Sequence, residues 1–114
     1  MTLEQFLNAV GSSTELDFED TMAVIAEHYE YVPTAFSNGE VENDAGQNEG
    51  SCKIFAFAQL NELSQQQTLA CFGRFYKDVL NTPDGNDHGN IRAFMKHGWQ
   101  GISFEQQALT TKTT

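Results

Sequence analysis

Basic residues are scarce in this chain: six Lys or Arg stand against 16 Asp or Glu in 114 residues, a net charge of −10. A nucleic-acid interface needs a basic footprint to displace counterions, and Arg74, Arg92 and Lys96 are too few to make one. No apolar run approaches the roughly 18 residues of a membrane helix, and the start of the chain lacks the basic and apolar stretches of a signal peptide. The expectation is therefore residence in the cytoplasm, without a nucleic-acid or membrane partner. Also missing are a Gly-rich phosphate loop followed by Lys-Ser or Lys-Thr, a G-x-S-x-G elbow, a C-x-x-C pair and any internal repeat.

Aromatic residues are present in quantity. Nine Phe, three Tyr and one Trp, with 39% hydrophobic residues overall, can fill the core of one domain spanning residues 1–114 without metal or disulfide. No cofactor is expected. The charge is unevenly placed: residues 1–52 hold 11 acids and no base, whereas residues 53–114 hold five acids and six bases. Solvated surface explains this, as would an acidic patch for a basic partner.

Along the chain, Thr2 and Gln5 form a capping box ahead of Leu3, Phe6, Leu7 and Val10 at helical spacing, ending at Gly11. Residues 12–16 are expected to be a loop. Asp17 then caps a helix carrying Phe18, Met22, Ile25, Ala26 and Tyr29 on one stripe, with His28 beside it as a surface or half-buried histidine. Pro33 turns the chain extended, Asn38-Gly39 predicts a tight hairpin, and Val41 begins its return strand.

From Ser51 to Leu63 the chain is apolar nearly all round, which predicts a central helix, with Gly50 and Ser51 at its start. Ser64 and Gln67 make a second capping box, opening a long helix that ends near Asn81. Gly73 inside it points to a close contact that excludes a side chain. Pro83-Asp84-Gly85 is a turn, and Asn86 or Asp87 can cap a last helix running to Gly98. Trp99 seals the core, Ile102 and Phe104 alternate as a third strand, and residues 106–114 are expected to fray. The fold class is α+β: a mostly helical single domain with a central apolar helix and a small antiparallel sheet or hairpin.

Cys52 is the most reactive candidate, since a thiol in the first turn of a helix feels the positive end of the dipole. Glu49 works against a thiolate, and no histidine is near in sequence, so a core cysteine is the ordinary reading; the candidate catalytic side chains are Cys52, Glu49 and His88, the last brought up by folding. A helical hairpin meeting near Leu63-Ser64 sets Cys71 about 6 Å along the axis from the level of Cys52, beyond disulfide reach, which leaves two free thiols. Asp84 to Gly89 fits the first half of a calcium loop, but position twelve is Met95, so a turn plus a helix cap is the better reading. His88 and His97 lie on opposite sides of one helix and cannot share zinc; no metal site is assigned. Asn48, Asn90 and Arg92 are the candidate ligand-binding side chains, although Asn48 and Glu49 can equally satisfy backbone groups at the start of the central helix.

The run Asn48-Glu49-Gly50-Ser51-Cys52-Lys53-Ile54-Phe55-Ala56-Phe57-Ala58 resembles the HopJ type III effector family. Tyr29-x-Tyr31-x-Pro33-x-x-Phe36-x-Asn38-Gly39, Thr68-Leu69-x-Cys71-Phe72-Gly73, His88-x-Asn90-Ile91-Arg92-x-Phe94-Met95 and Gly98-Trp99 follow the same pattern in order. The likeness covers roughly residues 15–109. It implies a bacterial protein and, by family name alone, delivery into a host cell; it carries no activity, cofactor or catalytic residue. The expected role is a small acidic binding protein for a protein or small-ligand partner. The alternatives are a thiol-dependent enzyme using Cys52 with His88, and an acidic housekeeping protein that binds a basic partner.

Overall fold

The computed structural model describes residues 2–10 and 16–112. Among these residues the chain forms six α-helices and five short strands: α1 (Leu3–Ala9), α2 (Phe18–His28), β1 (Tyr29–Tyr31), β2 (Phe36–Asn38), β3 (Val41–Asn43), α3 (Glu49–Leu60), α4 (Gln65–Ala70), α5 (Arg74–Asn81), α6 (Gly89–His97), β4 (Ile102–Phe104) and β5 (Leu109–Thr111). A 3-10 turn over Gly98–Gly101 joins α6 to β4. This is the expected α+β domain. The predicted end of the first helix at Gly11 and nearly all of the 12–16 loop lie outside the described residues.

The apolar helix α3 is the centre. Its Ile54, Phe55, Phe57 and Ala58 have no exposed surface. Phe57 meets Phe6 of α1 and Tyr29 of β1 edge-on, each at 5.7 Å between ring centroids. On another side, Phe55 meets Phe36 of β2 at 6.0 Å, Phe72 at 5.6 Å, Phe94 of α6 at 4.9 Å and Trp99 at 6.5 Å. Such tilted and edge-on pairs add to the burial term because ring edges approach electron-rich faces. Trp99 is half-buried and donates its indole N–H to the Leu63 carbonyl at 3.2 Å, which closes this side as expected.

The hairpin forms, but its two-residue turn is Gly39-Glu40, one position later than expected, with Gly39 at φ +60° and Asn38 ending β2; the strands pair Phe36 with Asn43 and Asn38 with Val41. Three-residue strands cannot stand alone. β4 supplies the missing support by pairing antiparallel with β2, Phe36 opposite Phe104 and Asn38 opposite Ile102.

Four further expectations need correction. The central helix begins at Glu49, two residues before Ser51, and ends at Leu60, not Leu63. The predicted long helix from Gln65 to Asn81 is broken between Ala70 and Arg74, because Gly73 adopts φ +58° and ψ −127°, outside the helical region. The reason expected for Gly73 holds nonetheless: a Cβ there would collide with the backbone of Asp17 and Phe18. The last helix is capped by His88 in a left-handed conformation, not by Asn86 or Asp87. The predicted fraying begins too early, since Leu109–Thr111 is a strand paired with β1, Tyr31 opposite Leu109 and Tyr29 opposite Thr111.

Asp17 ties two helices together. It is the N-cap of α2, its Oδ1 accepting from the Phe18 N–H at 2.7 Å, and the same oxygen accepts from the Arg74 N–H at 2.9 Å at the start of α5. The Arg74 guanidinium adds bonds to Asp17 and to both oxygens of Glu19. The backbone N–H groups of Arg74 and Phe18 hold the Asp17 carboxyl below its ordinary value.

Candidate functional site

Helices α1, α2 and α4 each begin with a complete capping box. The starts of α3 and α6 differ. Their N-caps, Asn48 at φ 51° and ψ 48° and His88 at φ 51° and ψ 50°, are left-handed and make no side-chain cap bond. The first intrahelical bonds are Cys52 N–H to Asn48 O and Arg92 N–H to His88 O. The amides of Glu49, Gly50 and Ser51, and of Gly89, Asn90 and Ile91, therefore have no acceptor among the described residues. A helix start in this condition carries partial positive charge and donors aimed outward.

Both starts open on one cavity of about 460 Å³. Asn48, Gly50 and Ser51 line it from α3, and His88, Gly89, Asn90 and Ile91 from α6. Phe18, Val41, Phe72 and Phe75 supply an apolar wall, with Phe18 and Phe75 edge-on at 5.0 Å. Gly50 is required for this wall, because a Cβ there would stand 2.8 Å from the Phe18 ring. His88 is partly exposed at the rim, its ring 5.5 Å from that of Phe75 and its Nε2 3.8 Å from Asp78 Oδ2 and from Asp87 Oδ2.

A buried asparagine network lies behind the cavity. The inward face of the three-stranded sheet carries Asn38 and Asn43 where its alternation calls for apolar residues. Asn43 and Asn90 exchange amide bonds, Nδ2 to Oδ1 at 3.1 and 3.0 Å. Asn38 donates to Asn90 Oδ1 at 3.1 Å and to the Asn90 carbonyl at 2.8 Å, and Asn48 donates to Asn43 Oδ1 at 2.6 Å. Asn48 thus turns its side chain towards the sheet. The expectation that it satisfies backbone groups of the central helix is corrected, because a residue in the left-handed region is not in cap geometry.

Three of the sequence candidates, Asn48, His88 and Asn90, come together at this cavity. Arg92 does not join them. Its guanidinium is held by Asp87 at 2.6 and 2.7 Å and by Thr82 at 3.1 Å, beside a separate groove with Leu80 and Met95. Cys52 is the fourth residue of α3 rather than a first-turn thiol, and it is buried with its Sγ donating to the Thr34 carbonyl at 3.8 Å. Burial pushes its thiol up, and the Glu49 carboxylate adds to that. Glu49 and Tyr31 neighbour Cys52, and burial together with Glu49 raises the Tyr31 phenol as well. Lys53 sits 4.8 Å above the Tyr31 ring. The described contacts of Cys52 and those of His88 share no residue. Cys71 is also buried and free, its thiol pushed up to about 12 by burial.

These surroundings predict unreactive thiols. Titration of the native protein with a disulfide reagent at neutral pH is expected to give slow modification at both cysteines, and two equivalents promptly after unfolding. Rapid reaction of Cys52 in the native state would return it to the list of nucleophiles.

Sequence reading missed the aromatic wall and Asn43. Strand alternation could have found Asn43, since it places residues 41 and 43 on one face of the hairpin and so puts an amide among core positions. Among the described residues no group of three or more His, Cys, Asp or Glu could hold a metal ion, and no helix is long and apolar enough to cross a membrane.

No curated protein matches the chain. A crystal structure described as that of the unknown-function protein VPA0580 is similar over 98% of this chain and 95% of its own, at 59% identity and a TM-score of 0.95. The family described as HopJ type III effector protein matches residues 3–109. With the likeness running through both helix starts and the wall of the cavity, the chain belongs to the HopJ type III effector protein family.

Proposed function

We propose that the protein is a non-enzymatic binding protein that takes a small ligand, an oxyanion carried on a flat apolar group, in the cavity between the starts of α3 and α6. The observation that carries this reading is the convergence of two helix starts, both without caps, on one cavity with an aromatic wall. Amides of this kind favour a carboxylate or phosphate because the donors and the helix dipoles act together. Phe18, Phe72 and Phe75 offer the apolar body a surface, while Ser51 adds a neutral polar group that orients it. The left-handed conformations of Asn48 and His88 support the reading, because such backbone strain gathers at ligand clamps. Neither thiol takes part. The family name adds that the binding event could serve a bacterial protein acting inside a host cell, a role that the cavity accommodates without requiring.

The test is a titration of the ¹⁵N-labelled protein with benzoate and with phenyl phosphate. Saturable shifts at the amides of Gly50, Ser51, Gly89 and Asn90, joined by ring-current shifts around Phe75, are the expected result. Shifts confined to other surfaces, or no saturation with either probe, would overturn the reading.

A further inference from the structure

We infer that Asn43 is the positioning residue of this cavity: it lines none of it, yet it fixes the two helix starts relative to one another. The inference rests on the ligand reading above for its functional meaning, and on bond geometry for its substance. Asn43 is 3% exposed and belongs to β3. An asparagine side chain offers two N–H donors and a carbonyl oxygen with two lone pairs. At Asn43 all four are used. Nδ2 donates to the Phe36 carbonyl at 3.4 Å and to Asn90 Oδ1 at 3.1 Å, and Oδ1 accepts from Asn48 Nδ2 at 2.6 Å and from Asn90 Nδ2 at 3.0 Å.

The partners decide what this does. Asn48 is the N-cap of α3, Asn90 is the second residue of α6, and Phe36 is in the central strand of the sheet. One amide therefore ties the strand to both helix starts. Neither start has a cap of its own to set its position. No similar side chain can replace it. Aspartate has no donor for Phe36 O or Asn90 Oδ1 and would face both as a repelling carboxylate, glutamine is one methylene too long, and alanine removes all four bonds, leaving the buried Asn90 Nδ2 without a partner and Asn90 Oδ1 with Asn38 alone.

The experiment compares wild type with Asn43→Ala, Asn43→Asp and Asn48→Gly, each ¹⁵N-labelled, with and without benzoate and phenyl phosphate. Glycine suits the left-handed conformation at position 48, so Asn48→Gly removes the bond to Asn43 without straining the backbone. It serves as the second variant should the Asn43 changes fail to fold. In the unliganded protein, either Asn43 variant is expected to shift the amides of residues 49–51 and 89–91 together. Asn48→Gly is expected to shift residues 89–91 across the cavity. Binding of the probes should weaken about tenfold or more in Asn43→Ala, by the loss of buried hydrogen bonds. Shifts confined to one helix start, or unchanged affinity in a folded Asn43→Ala protein, would overturn the inference. If wild type binds neither probe, the ligand reading fails by itself, and the shift pattern of the unliganded variants still decides whether Asn43 joins the two starts.

Discussion

Phe55→Ala is expected to cost about 3–5 kcal/mol, the range found when a buried aromatic is truncated and the cavity does not collapse. Phe55 has no exposed surface and touches the rings of Phe36, Phe72, Phe94 and Trp99, which come from a strand, the turn between α4 and α5, α6 and the 3-10 turn. Elements arriving from four directions cannot all move inward to fill one void. A loss of this size is a large share of the roughly 5–15 kcal/mol that stabilises a domain. Urea unfolding followed by circular dichroism measures it. Trp99 is the single tryptophan and packs on Phe55, so its fluorescence should also shift to the red in the folded variant. A cost below about 1 kcal/mol would mean that the core closes over the gap and that α3 is less central than its burial implies.

Gly73→Ala is expected to cost about 3 kcal/mol or more, through two separable terms. The first is conformational: φ +58° with ψ −127° is open to glycine and costly for alanine. The second is steric. A Cβ would meet Asp17 Oδ1, and would come within 2.5 Å of the Phe18 nitrogen and 2.7 Å of Asp17 Cα. Two of these three atoms are backbone and cannot swing aside. Gly46→Ala is the reference for a positive φ without a clash, because Gly46 has φ +89° and nothing within 4 Å of an added Cβ. It should cost only about 1 kcal/mol. Thermal or urea unfolding of both variants gives the comparison, and similar costs at the two positions would remove the steric argument and with it the close seat of α5 on α2.

Much of the architecture was legible because the signals were local. Thr2 with Gln5 and Ser64 with Gln67 read as capping boxes from spacing alone, and Asn38-Gly39 marks the hairpin, although its turn lies one residue on at Gly39-Glu40. The all-round apolar run identified α3, and the alternation at Ile102 and Phe104 identified the third strand. Less legible were features set by distant contacts. Gly73 breaks its helix because Asp17, 56 positions earlier, occupies the space and caps the second segment. Leu109–Thr111 is a strand because β1 offers it an edge, which no composition of its own reveals. The site was half visible. Asn48, His88 and Asn90 were named, but their meeting depends on two left-handed caps that propensity does not favour at asparagine or histidine over ordinary capping. Cys52 stands in a first turn only if the helix starts at Ser51; with the start at Glu49 it is the fourth residue of α3.

The pairing of β1 with β5 sets the order in which the chain can become complete. Tyr29 finds its partner Thr111 roughly eighty residues later, and Phe36 finds Phe104 roughly seventy residues later. Contacts of such separation repay the loop entropy only after the intervening chain has condensed, so both sheets close late. During synthesis the edges of β1 and β2 exist well before residues 102–111 do. Through that interval the nascent protein carries open strand edges beside a Phe-rich helix, the combination that chaperones shield and that aggregation exploits.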